Sequence, residues 1–210
     1  MSPRGHASPV VLLLAAGEGR RFGGIKQLAD IAGEAMVKRA ARMLLALDLP
    51  VLVVTGAYAD EVEAALDGLP LSILRCHDWS LGMGHSLAAG TRALTRMYPR
   101  ASAVMVALAD QPLLDGVLLQ DMLHRHTLAP EKILATAQHG TLGPPALFPR
   151  DCFTALAALS GPHGARGLLQ HEAQRVEPFT SAHLIDIDTP ADLQCALASL
   201  GLALRGADPG

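Results

Sequence analysis

Three cations and four glycines crowd the positions just after residue 16: Gly17, Gly19, Arg20, Arg21, Gly23, Gly24 and Lys26. They follow an unbroken apolar run, Val10–Ala16. Glycine lets the backbone pass close to a ligand and present its N–H groups. Arginine offers a planar fork of donors that suits phosphate, and lysine a compact point charge. A buried strand that runs into such a loop is a candidate polyphosphate site. Two Gly-rich motifs with known mechanics fail on single residues. The dinucleotide fingerprint G-x-G-x-x-G requires glycine at position 22, where Phe22 stands. The P-loop requires Gly-Lys-Ser/Thr, whereas Gly24 precedes Ile25 and then Lys26-Gln27.

Carboxylates supply the complementary chemistry. Asp110 closes the apolar run Ala103–Leu108, and Asp188 lies just beyond an expected strand at 183–187. Two carboxylates beside a phosphate loop suit Mg2+, which takes one or two carboxylates together with phosphate oxygens and waters. Asp186, two residues earlier and hence on the same strand face, competes with Asp188 for that role. Each residue also has a plainer reading. Asp110 before Gln111-Pro112 can open a turn, Asp188 can be a helix-end charge, Ser86 can be a cap and His85 can face solvent. The nine histidines include no H-x-x-x-H or H-E-x-x-H arrangement, which argues against a histidine metal site. Cys76, Cys152 and Cys195 are isolated, with no C-x-x-C spacing, and read as small hydrophobes in a reducing compartment.

The hydrophobic pattern supplies a frame that can position these side chains. Strands are expected at 10–15, Val51–Thr55, Leu71–Leu74, Ala103–Leu108, Lys132–Ala137 and 183–187. Helices are expected at 34–47, with Met36, Ala40, Met43, Leu44 and Leu47 as the apolar face, and at Ala59–Leu66, about 84–97, Asp115–Thr127, Arg150–Leu159 and Ala165–His171. A last helix starts at Pro190 behind an N-cap at Thr189. His139–Pro145 reads as a Gly/Pro loop followed by a short apolar stretch at 146–148. The β-α-β-α-β alternation implies a three-layer α/β fold with a mostly parallel, Rossmann-like sheet and right-handed crossovers. Ligands of such sheets bind beyond the carboxyl ends of the strands. The loop 14–26, Asp110, Ser86 in the loop after the third strand, and Asp188 all fall there.

A chain of 210 residues suits one domain, here 10–203 between disordered tails at 1–9 and 204–210, with no internal repeat or linker. Half the residues are hydrophobic but only 3% are aromatic, so Ala, Leu and Val must fill the core. A net charge of −3 and a pI near 6.3 argue against a general nucleic-acid binder. No apolar run reaches 18 residues and the N-terminal segment is polar, so neither a membrane span nor a signal region is expected, and the reading is cytoplasmic.

Five blocks in order carry a resemblance that spans roughly residues 10 to 193. They are Leu14-Ala15-Ala16-Gly17 continuing through Arg21-Phe22-Gly23 to Lys26; Asp78-Trp79 through Gly82-Met83 to Ser86-Leu87 and Gly90; Leu108-Ala109-Asp110-Gln111-Pro112; Gly143-Pro144-Pro145-Ala146-Leu147-Phe148 with Gly164-Ala165-Arg166; and Asp186-Ile187-Asp188-Thr189-Pro190. Together they resemble the MobA-like nucleotidyltransferases, and within them the molybdenum cofactor cytidylyltransferases. The resemblance implies a fold of the nucleotide-diphospho-sugar transferase type. It also implies a Mg2+-dependent transfer of CMP from CTP to the terminal phosphate of molybdopterin, releasing pyrophosphate. Arg21, Lys26 and Asp110 would be the catalytic residues. Leu14, Ala15, Ala16, Gly17, Arg21, Lys26 and Ser86 would hold the nucleotide, and Asp110 and Asp188 the metal. Ala16 tips the base toward cytosine, since the GTP-using branch tends to carry glycine there. The implied partner is a xanthine-dehydrogenase-like molybdoenzyme or its chaperone. Alternatives are another base such as GTP, a sugar-phosphate acceptor, or a non-catalytic accessory protein. A nicotinamide-dependent oxidoreductase ranks below these because of Phe22. His85, Pro144 and Pro162-His163 depart from the family's pattern, the last two in the half that should meet the acceptor.

Overall fold

The structure, a computed structural model, describes residues 7–138, 140–181 and 184–201. Its centre is β1 (Val10–Ala15), buried at every position. That burial follows from its neighbours. β2 (Val51–Thr55) and β4 (Ala103–Leu108) flank it, both parallel, and helices cover both faces. Successive side chains of a strand point to opposite faces, so one run of aliphatics serves two cores. Val11, Leu13 and Ala15 pack on Val37, Ala40, Ala41 and Leu44 of α1 (Met36–Leu45). Val10, Leu12 and Leu14 pack with Leu87, Ala93 and Leu94 of α3 (Met83–Met97) on the other face. α2 (Ala59–Leu66) and α4 (Gly116–Leu128) join the α1 layer. α5 (Phe153–Ala157) and α6 (Arg166–His171) join the α3 layer.

The sheet has seven strands in the order β3-β2-β1-β4-β6-β5-β7. β3 (Ser72–Arg75) pairs parallel with β2. Beyond β4 the pattern changes. β6 (Thr141–Pro149) runs antiparallel to both β4 and β5 (Ile133–Gln138), and β7 (Val176–Thr180) pairs parallel with β5. This is the three-layer, mostly parallel α/β architecture expected from the pattern.

Three local expectations need correction. The expected loop His139–Pro145 is mostly strand: β6 starts at Thr141, and its register with β5 shifts between Ala135 and Thr136 to absorb Pro144 and Pro145. Such an irregularity is where a strand tolerates proline. The expected strand at 183–187 does not form. His183 lies outside the described residues, and 184–188 crosses the sheet end as irregular backbone. The last strand is instead β7, which Pro178 hides in the sequence and which sits at the sheet edge, where a strand can carry proline. Arg150–Leu159 splits into a 3-10 turn, Arg150–Cys152, and the short α5. Residues 1–6 and 202–210, which hold most of the expected tails, lie outside the described residues. Ser8 accepts a backbone hydrogen bond from Ser102.

The final helix, α7 (Pro190–Ser199), begins as its sequence requires. Thr189 caps it, Pro190 occupies its first turn, and Asp192 returns a bond to the Thr189 N–H at 2.8 Å, completing a capping box. Ile187, fully buried with Ile31, Met36 and Ala196, anchors the crossing segment, and its N–H donates to the Asp110 carbonyl at 2.9 Å.

Candidate active site

Lys26 stands in a single 3-10 turn, Lys26–Leu28, that ends the glycine-rich loop, and it is 8% exposed. Its ammonium lies 2.8 Å from Asp110 Oδ2 and 3.0 Å from Asp188 Oδ1. The Arg21 guanidinium reaches the other Asp188 oxygen, Oδ2, at 2.7 Å. Residues separated by more than 80 positions thus meet at one point. Burial pulls the Lys26 ammonium toward neutrality, but Asp110 and Asp188 outweigh it and hold its pKa above the ordinary value. Burial pushes the Asp110 carboxyl above the usual carboxylate range; Lys26 opposes this, while Asp186 and Asp188 add like-charge repulsion.

Asp110 Oδ1 is buried and has no hydrogen-bond partner among the described residues. Such an oxygen costs about 1–3 kcal/mol or more while it lacks a partner. A divalent cation would satisfy it. Among the described residues no three His, Cys, Asp or Glu side chains form a metal-holding group. The donor set therefore fits a metal held by one or two carboxylates plus substrate phosphate, the mode of Mg2+, and does not fit an all-protein cage.

Two adjoining cavities lie here, and Lys26 and Asp110 of this cluster line the first. The first, about 350 Å³, is walled by 14–20, Lys26, Gln27 and Asp110 on one side and by Trp79, Gly82, Met83 and Ser86 on the other. Leu14, Ala15, Ala16, Gly17, Lys26 and Ser86 all line it. Arg21 does not: its side chain is 73% exposed at the edge, on Asp188, while Arg20 lines the cavity and pairs with Glu18 at 2.7 Å. Ser86 belongs to the helix expected at about 84–97 and not to the loop before it: it stands in the first turn of α3, 3% exposed. The Gly56 backbone closes on Ala16: a Cβ at Gly56 would lie 2.6 Å from the Ala16 carbonyl and 2.8 Å from its methyl.

The second cavity, about 260 Å³, has Leu14, Val106, Leu142, Phe148 and Leu169 in its wall beside Gln111, Gln138, Arg166 and Asp186, and is as mixed in polarity as the first. Pro144, Pro162 and His163, three of the departures from the family pattern, also line it. His85, the fourth, accepts a hydrogen bond at Nδ1 from the Gly161 N–H at 3.2 Å, and Gly84 N–H donates to Gly161 O at 2.8 Å. Both fasten the 160–164 turn to α3.

Two buried glutamines escaped sequence reasoning. Gln27 donates from Nε2 to the carbonyls of Ala15 and Gly17, stapling the start of the loop. Gln111 donates to Pro144 O at 3.1 Å and to Asp186 Oδ1 at 2.8 Å. Each directly follows a charged residue that drew attention first. The available signal was a polar residue at the carboxyl end of a buried strand or loop.

The profile of the MobA-like NTP transferase domain matches residues 11–176. The chain belongs to the MobA-like NTP transferase family. The purine catabolism protein PucB of Bacillus subtilis (strain 168) is 32% identical over 193 residues, covering 86% of this chain and 92% of PucB. The nicotine blue oxidoreductase of Paenarthrobacter nicotinovorans is 34% identical over 177 residues, covering 79% and 83%. The crystal structure of Rv0371c from Mycobacterium tuberculosis H37Rv superposes with a TM-score of 0.73 at 26% identity, over 91% of this chain and 98% of that one. Rv0371c has also been solved in complex with manganese; that structure superposes with a TM-score of 0.69 at 24% identity, over 92% and 100%. The family and the fold, of the nucleotide-diphospho-sugar transferase type, make this MobA-like chain a nucleotidyltransferase. Among its described residues no helix is long and apolar enough to cross a membrane.

Proposed function

We propose that the protein joins CMP from CTP to the terminal phosphate of molybdopterin, giving molybdopterin cytosine dinucleotide and pyrophosphate. The observation that carries this reading is the Lys26–Asp110–Asp188 cluster, whose Lys26 and Asp110 line a glycine-rich cavity with a second cavity adjoining it. A triphosphate suits the first cavity and an aromatic acceptor the second. An oxygen of the acceptor phosphate attacks the α-phosphorus of CTP. The new P–O bond forms as the bond from the α-phosphorus to the bridging oxygen breaks, and that oxygen leaves on pyrophosphate. The acceptor phosphate is already an anion, so no strong base is required and no covalent enzyme intermediate forms.

The chain's own residues supply positioning and charge. The backbone around Gly17 presents N–H groups to the phosphates, and Lys26 and Arg21 neutralise them. Ser86 and the Ala16 methyl, both buried at the first cavity, border the base. Asp110 and Asp188 would hold Mg2+, which when bound offsets phosphate charge. Rv0371c, solved in complex with manganese, supports the use of a divalent ion. The client would be a xanthine-dehydrogenase-like molybdoenzyme or its chaperone.

The name of the Paenarthrobacter relative favours a second reading, oxidation–reduction in the second cavity. Pyrophosphate release separates the two. With Mg2+, release from CTP and not GTP, and only when molybdenum-loaded molybdopterin is added, is the expected result. No release from either nucleotide, with turnover of a reduced nicotinamide instead, would replace transfer by redox chemistry.

A further inference from the structure

Asp186 and Asp188 share a strand face on paper, yet the folded chain sends them to different neighbours. Asp188 gives both oxygens to cations, Oδ1 to Lys26 and Oδ2 to Arg21. Asp186 gives Oδ1 to an amide, Gln111 Nε2, at 2.8 Å. Between them Ile187 is locked in a small core and bonded through its N–H to the Asp110 carbonyl, so the segment cannot slide to exchange the two. Asp186 and Gln111 line the second cavity; Lys26 and Asp110 line the first.

Gln111 is the hinge of this division. It is 2% exposed. Both partners of its Nε2, the Pro144 carbonyl and the Asp186 carboxylate, can only accept, which fixes the amide orientation. Its Oε1 is left buried with no partner among the described residues. Asp186 is itself exposed, at the cavity wall. The result is a carboxylate held in place at the wall of the second cavity, with acceptor oxygens facing it.

We propose that Gln111 is a positioning residue that assigns Asp186 to the second substrate, as acceptor for an N–H or O–H donor of that molecule, and so leaves Asp188 to the metal and nucleotide. This rests on the transferase reading above for the identity of the second substrate. It makes the two aspartates functionally unequal. It also gives the Gln of Asp110-Gln111-Pro112 a task apart from that of its neighbour.

The test compares Asp186→Asn, Asp188→Asn and Gln111→Met, a neutral change of similar size. Binding of Mn2+ together with CTP is read by electron paramagnetic resonance, and molybdopterin KM and kcat by pyrophosphate release. Asp188→Asn is expected to weaken Mn2+·CTP at least tenfold, and Asp186→Asn and Gln111→Met less than twofold. Those two variants should instead raise the molybdopterin KM at least tenfold with kcat within threefold. A merely structural role for Gln111 would lower kcat and folded fraction without that split. If Asp186→Asn weakens Mn2+·CTP as much as Asp188→Asn, or if Gln111→Met leaves the acceptor KM unchanged, the proposal is overturned. If the wild type binds Mn2+·CTP but does not react with molybdopterin, the acceptor reading fails, and the Mn2+·CTP comparison of the two aspartates still decides whether they are divided.

Discussion

Lys26 and Arg21 look interchangeable in the sequence, two cations in one loop, but their surroundings separate them. Lys26 is buried between two carboxylates, and Arg21 is 73% exposed on one. Charge acts far more strongly where water is excluded. Lys26→Ala should therefore lower kcat by ~10²–10³, about 3–4 kcal/mol of barrier, while Arg21→Ala should cost less than about tenfold. Single-turnover rates at saturating nucleotide check this, and equal losses would show that burial does not rank the two. Ala16 carries a separate prediction. Its methyl, against Gly56 and lining the first cavity, should exclude the larger base. Ala16→Gly is expected to raise kcat/KM for GTP relative to CTP; an unchanged ratio would take base choice away from this position. The sequence pointed to Lys26, Asp110 and Asp188 because charge in a loop or at a strand end is conspicuous. It marked Gln27 and Gln111 only as polar residues at the end of a loop or strand, because their roles consist of bonds to carbonyls and to a carboxylate distant in sequence.

Elements that obey one dominant rule were legible from end to end. Val51–Thr55, Ala59–Leu66 and Ala103–Leu108 have the bounds that apolar runs and helical periodicity give them. β6 and β7 were not legible, since prolines mask a strand whose pairing is decided by its neighbours. Glycine-rich turns divide in the same way, by what surrounds them. Gly82, at φ +113°, would place a Cβ 2.5 Å from the Gly161 carbonyl, whereas Gly167 in α6 has nothing within 4 Å of that position. Gly82→Ala should destabilise by about 1–3 kcal/mol, and Gly167→Ala should stabilise by about 0.4–1 kcal/mol. Urea midpoints measure both, and a neutral Gly82→Ala would mean that the 160–164 turn yields easily. On α4, burial holds His126 below its ordinary pKa of 6.5 and leaves Nδ1 unpartnered among the described residues. Its folded form resists a proton that the unfolded chain accepts, so stability is full above about pH 6.5 and declines as pH falls below it. His126→Phe should flatten that decline in chemical denaturation between pH 7 and 5; an unaltered slope would place the acid sensitivity elsewhere.

Across the whole molecule, the cleft is assembled at the ends of strands on both sides of β4, where a parallel sheet meets an antiparallel pair. Its first half comes from 14–27 and 79–86, its second half from 136–148 and 162–169, and the aspartates from the segments that follow β4 and β7. No one stretch of sequence contains this arrangement, and so the alternation predicted the sheet while leaving the site's depth and division unread. A nucleotide bound there touches both core layers and should stabilise the fold as a unit. At a hundredfold excess over its Kd, a ligand specific to the folded state contributes about 2.7 kcal/mol, which for a domain of this size is a rise in Tm of roughly 5–10 °C. Mg2+ with CTP should give that rise, and CTP with chelator a smaller one, because the repulsion between phosphates and carboxylates is then uncompensated. In Asp188→Asn the two should converge, since the increment due to metal depends on that carboxylate. Calorimetry of both proteins decides it: an undiminished Mg2+ increment in Asp188→Asn would move the metal to Asp110 and Asp186, and an equal rise with GTP would leave the base unselected by the folded cleft.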